Sequence, residues 1–154
     1  FGRFPEPHMC SLPIEYMIHY NHFEVEVWDL CGDIDWFGMN STVLRDSDAI
    51  LWVCSYDSIY ECFNSFWREA IIKFVPKAIF FLVINKADIK EDCKLIYDED
   101  IDLIMSDPLF LDWYSISAND HDQVVNLFNS IMYRLIERIP PIHDEVTKSK
   151  CQIQ

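Results

Sequence analysis

Glycine is scarce in this chain: three residues in 154, at Gly2, Gly32 and Gly38. None of them precedes a lysine. The glycine-rich loop that cradles phosphates with its backbone N–H groups, G-x-x-x-x-G-K-[ST], therefore finds no place among these residues. Positive charge is also short, with 12 Lys and Arg against 26 Asp and Glu and a formal net charge of -14. A surface of that sign repels a phosphate backbone, which excludes nucleic acid as a partner. The six cysteines (Cys10, Cys31, Cys54, Cys62, Cys93 and Cys151) form no C-x-x-C, and His19 and His22 have no partners at metal-ligand spacing. A zinc site is excluded on that count, and the cysteines read as thiols of a reducing compartment. No run approaches the roughly 18 apolar residues of a membrane span. Residues 1–12 hold no apolar segment of the secretory type.

What is present is material for a core. Hydrophobic residues make up 51% and aromatics 15% of the chain, ample for one domain and incompatible with disorder over most of its length. Ile14 to Tyr20 and the alternating Phe23–Asp29 segment read as two strands of a hairpin turning at Asn21-His22. Ala49–Cys54 and Ala78–Ile84 are continuous apolar runs, which suit strands covered on both faces. Between them, Ser58–Phe74 has apolar residues at helical spacing, so the three form a βαβ unit. A short helix over Asp98–Met105, a strand over Leu109–Ser117 and a long helix over Asp120–Ile139 continue the alternation. In that last helix Val124, Val125, Phe128, Ile131, Met132, Leu135 and Ile139 are expected to face inward. Pro140-Pro141 stops it. The expected fold is α/β: a mostly parallel open sheet with helices on both faces and an antiparallel edge hairpin. The domain is expected over residues 1–140, followed by a polar, irregular tail over 141–154.

In such sheets ligands bind at the carboxyl ends of the strands. The run Ala78–Ile84 is followed there by Asn85-Lys86-Ala87-Asp88. A carboxylate mounted at that point can accept from both N1–H and the 2-amino group of guanine, whereas adenine would leave it unpaired; such sites discriminate strongly. Asp29-Leu30-Cys31-Gly32 follows the second hairpin strand. Its Asp can hold a phosphate-bound Mg²⁺ through water, and its Gly lets a backbone N–H approach phosphate. D-x-x-G fits an ordinary turn equally well. Ser117-Ala118-Asn119 precedes the long helix, where the Ala118 N–H could reach a base carbonyl; capping of the helix by Asn119 or Asp120 accounts for it as well.

N-K-x-D, D-x-x-G and S-A-x, in this order of strand ends, resemble the motifs of the Ras superfamily of small GTPases. Trp28-Asp29-Leu30-Cys31-Gly32 is similar to the W-D-T-A-G of its Rab branch. The resemblance covers about residues 12–139 and implies a P-loop NTPase fold of the small-GTPase type, cut short at its N-terminus. It implies a guanine site of Asn85, Lys86, Asp88, Ser117 and Ala118, and a phosphate and Mg²⁺ side of Asp29 and Gly32. GTP or GDP and Mg²⁺ are the implied cofactors. Effector and regulator proteins would dock through the Trp28–Phe37 region. The chain departs from the family at several positions. The P-loop is expected upstream of Phe1. Asp33 stands where the glutamine that orients the attacking water is expected, Asn119 replaces the lysine of the third motif, and Ser11 is the one candidate for the switch threonine.

The implied function is a Rab-like guanine-nucleotide switch with slow hydrolysis, in vesicle traffic or signalling. The alternative is a pseudo-GTPase that keeps the sheet as an interaction module without turnover. An unrelated carboxylate hydrolase is the third reading, and no pair of Asp residues at a strand end supports it. Cys151-Gln152-Ile153-Gln154 resembles a prenylation box with a non-aliphatic Gln152. A prenyl group there, beside only Lys148 and Lys150, would give weak peripheral attachment to the cytosolic face of a membrane. The expected location is otherwise cytoplasmic.

Overall fold

The computed structural model describes residues 13–31, 37–58, 65–89, 91–138 and 150–153. Six strands make one sheet: β1 (Ile14–Tyr20), β2 (Phe23–Asp29), β3 (Ala49–Ser55), β4 (Ile79–Asn85), β5 (Phe110–Ser115) and β6 (Lys150–Ile153), in the order β1-β2-β6-β3-β4-β5. The hairpin β1–β2 is antiparallel, with Asn21 in the left-handed region at φ 53, a conformation that asparagine tolerates in tight turns. All other pairings are parallel. The carboxyl ends of β2, β3, β4 and β5 therefore open on one edge of the sheet.

Among the described residues four α-helices accompany the strands: α1 (Phe37–Leu44), α2 (Ser65–Phe74), α3 (Asp98–Met105) and α4 (His121–Ile136). The apolar runs of β3 and β4 explain the two cores, because successive side chains on a strand point to opposite faces. Ile50, Trp52, Cys54, Phe80, Leu82 and Ile84 pack on one face with Leu44, Ile71, Val75 and Ile101 from the α1–α3 side. Ala49, Phe81 and Val83 pack on the other with Leu127, Ile131, Met132 and Leu135 of α4. The expected α/β sheet with helices on both faces and an antiparallel edge hairpin is present.

The local boundaries differ in instructive ways. Helix α1 carries no apolar stripe in sequence and was not anticipated. The expected Ser58–Phe74 helix is seen from Ser65, and residues 59–64 lie outside the described residues. Helix α4 runs His121–Ile136, with Asp120 as its N-cap accepting from the N–H groups of Asp122 and Gln123. On it Leu127 is buried, whereas Val125, expected inside, is 41% exposed, and Ile139 lies outside the described residues. Glu26, on the nominally polar face of β2, is buried and accepts from the Trp28 indole N–H at 2.8 Å. Composition alone makes the tail irregular, yet Lys150–Ile153 is a strand between β2 and β3: Glu24–Val27 pair with it along its length, and Ala49 pairs with Ile153. Backbone pairing, not side-chain pattern, places it there. Cys54 and Cys93 are reduced, but Cys31 is disulfide-bonded, which corrects the expectation of thiols throughout.

Candidate functional site

The loops after β3, β4 and β5 are laced together at the carboxyl edge. The Tyr56 N–H donates to Asn85 O at 3.1 Å, and the Ala87 N–H donates to Ile116 O at 3.0 Å. The Tyr56 hydroxyl donates to Ser115 Oγ at 2.9 Å. Each bond joins a different pair of elements, so the loop ends inherit the rigidity of a sheet covered on both faces.

Asn85, the last residue of β4, is the joint of this cluster. Its Oδ1 accepts the Lys86 N–H at 2.7 Å and the Ala118 N–H at 2.8 Å. The first bond accompanies a left-handed backbone at Lys86, φ 62. A residue with a Cβ holds that conformation at a cost of about 1–3 kcal/mol, and such strain collects where a loop has a job. The second bond ties the turn after β4 to the loop after β5. Ala118 thus sits where the sequence placed it, but its N–H, expected to be offered to a base carbonyl, is engaged by Asn85.

Asp88 follows in the turn closed by the Ile89 N–H donating to Lys86 O at 3.1 Å. Its carboxylate is exposed and turns toward the loop after β5. Asn119 Nδ2 donates to its Oδ2 at 3.4 Å. The Ser117 hydroxyl, then its own backbone N–H and Asn119, hold the Asp88 carboxyl below the usual carboxylate range. It is therefore an anionic acceptor across neutral pH. Ser117 is buried, and its N–H donates to Gln123 Oε1 at 2.8 Å; the Gln123 amide in turn donates to Asp120 Oδ2 at 2.9 Å. Asp88, Ser117, Asn119, Asp120 and Gln123 border a shallow, open hollow of about 470 Å³.

The hollow offers the anionic oxygens of Asp88, whereas the N–H groups of the Ser117–Asn119 loop are already engaged, by Gln123 Oε1, Asn85 Oδ1 and Ser117 Oγ. Of the residues named from sequence, Asp88 and Ser117 border the hollow, while Asn85, Lys86 and Ala118 are joined to one another through Asn85 Oδ1.

The residues named for the phosphate side are more scattered. Asp29 ends β2 on the same edge of the sheet, exposed. Gly32, Asp33 and Ser11 lie outside the described residues. Among the described residues no group of three His, Cys, Asp or Glu could hold a metal. Cys151 lies in β6, its backbone level with Val25. Trp28, expected to face effectors, is half-buried and tied to Glu26. No helix among the described residues is long and apolar enough to cross a membrane.

Sequence reading passed over two participants. Asp57 follows β3 and accepts Lys86 Nζ on both oxygens, at 2.8 and 3.1 Å. Gln123 supports Ser117 from the first turn of α4. The signal for Gln123 was available: Asp at the N-cap with Gln three positions later is a capping arrangement. Asp57 had only its place after an apolar run.

The family model of the Ras family matches residues 11–137, more than half of the chain. No curated protein matches it.

Proposed function

This chain belongs to the Ras family, a family of nucleotide-binding switches, and on that footing we propose that it is a guanine-nucleotide switch of the Rab type. One observation carries the reading: Asn85 bonds to the Ala118 N–H, so that Asp88 and the Ser117–Asn119 loop face one hollow. In this account Asp88 accepts from N1–H and the 2-amino group of the base. Lys86 lays its methylene stem along the ring, and Asn85 holds the two loops in register. Ser117 fixes the Asp88 carboxylate, and Ala118 stands at the base oxygen, sharing its N–H with Asn85. Asp29 stands at the phosphate side, where it would hold Mg²⁺ through water. Mg²⁺ supplies neutralisation of the phosphate charge when bound. Gly32 would follow it there.

Asp33 at the water-positioning place makes hydrolysis slow, because a short anion beside a γ-phosphate orients water poorly. Effector and regulator proteins would meet the Trp28–Phe37 region, in vesicle traffic or signalling at the cytosolic face of a membrane. A prenyl group on Cys151 would need the chain end to leave its place beside β2. Asp33 and the lack of G-x-x-x-x-G-K-[ST] among these residues favour a second reading, a pseudo-GTPase that binds partners without turnover.

A titration with fluorescent GDP, including any sequence that precedes Phe1 in the gene, tests the proposal. Saturable binding strengthened by Mg²⁺ and not competed by ATP is expected. Equal competition by ATP, or no saturation, would refute it.

A further inference from the structure

Lys86 carries an ammonium on a flexible stem two residues from Asp88, within the same turn. Two carboxylates stand on neighbouring loops: Asp88, on its own, and Asp57, which follows β3. The structure shows which one holds it. Both oxygens of Asp57 accept Lys86 Nζ, at 3.1 and 2.8 Å. Asp57 is itself aimed, since Ser55 Oγ donates to its Oδ1 at 2.6 Å. That donation uses the single Ser55 proton. The contact of 2.7 Å between Ser55 and Ser58 must then run from the Ser58 hydroxyl to Ser55. Two hydroxyls in series orient one carboxylate toward one ammonium. Lys86, first, and Ser55, second, hold the Asp57 carboxyl below its ordinary range. Among the described residues the donors to Asp88 are neutral: Ser117, its own backbone N–H and Asn119.

We infer that Asp57 is a positioning residue for Asp88: by anchoring the Lys86 ammonium at the end of β3, it keeps that cation off the carboxylate that reads the base. An ammonium closing on Asp88 would occupy the lone pairs that two base N–H groups need. The same anchor draws the Lys86 stem across the mouth of the loops, from the β4 turn toward β3. The inference rests on the guanine reading given above for what Asp88 does, but not for where Lys86 goes.

The experiment uses the chain together with any sequence that precedes Phe1 in the gene, as wild type, Asp57→Asn, Lys86→Met and the double variant. Two readouts are taken: the titration of the Asp88 carboxyl by carbon-detected NMR, and binding of GDP. In Asp57→Asn the released ammonium moves to Asp88, whose carboxyl then titrates at lower pH than in wild type, and GDP binds about threefold more weakly, the scale of an exposed ion pair. Neither change appears when Asp57→Asn is added to Lys86→Met. A merely structural role for Asp57 would leave the Asp88 titration unmoved. An unmoved titration, or GDP binding equal to wild type despite the shift, overturns the inference. The same holds for a loss that persists in the Lys86→Met background. Should Asp57→Asn fail to fold, Ser55→Ala decides, with a smaller shift in the same direction expected and none contradicting the inference. A wild-type chain that binds no GDP, while Asp57→Asn still shifts Asp88, refutes the proposed function instead.

Discussion

The two halves of the sheet are built to different standards. In β3–β4–β5 the partner strands run in parallel register, and β4 is buried from Phe80 to Ile84. Helices cover both faces, and the loops beyond are cross-bonded. In β1–β2–β6 the outermost strand exposes every residue from Ile14 to His19, Met17 at 53% among them. Among the described residues the inner strand β6 meets β3 at a single residue pair, Ala49 with Ile153. The difference teaches where precision can be kept. The loops that would read a base hang from the well-covered half, while the residues named for phosphate and effector contacts follow the other.

Substitutions in the two halves should break that comparison open. Phe81→Ala removes a fully buried ring from the centre of β4 and should cost about 3–5 kcal/mol of stability. Met17→Ala, on exposed β1, should stay within about 0.5 kcal/mol. Urea unfolding of both variants checks this, and equal losses would mean that the halves fold as equals. Smaller in stability but sharper for the site is Asn85→Ala. It removes the acceptor shared by Lys86 and Ala118, leaving two backbone donors to find water, for about 1–2 kcal/mol. Amide exchange should rise at Ala118 and Lys86 while the core of β4 stays protected. Unchanged exchange at Ala118 would show that Asn85 does not join the loops.

The sequence exposed the well-built half more clearly than the other, for a physical reason. Strands covered on both faces must be apolar throughout, so β3 and β4 stand out as unbroken runs, and the residues at their ends can be named. Asp88 and Ala118 were legible because each lies just past such a run. The pairing of Asp57 with Lys86 was not, since it joins residues 29 positions apart through a geometry that only the sheet creates. Helix α1 has no stripe to announce it. Strand β6 exists because β2 and β3 offer backbone partners, and its own polar residues give no period-two signal. Val125 and Leu127 traded places because a helix face is set by its crossing over the sheet, which spacing alone leaves open by a residue or two.

The account turns on Asp88 accepting two hydrogen bonds from a guanine edge. Its most direct test is the base preference of Asp88→Asn. An amide there loses one acceptor and gains a donor, so it should mismatch the 2-amino group of GDP and match the 2-oxo group of xanthosine diphosphate. Calorimetric titration of wild type and variant with both nucleotides should show the preference reversing, with GDP weakened at least about tenfold. A variant that keeps the wild-type preference for GDP would contradict the assignment.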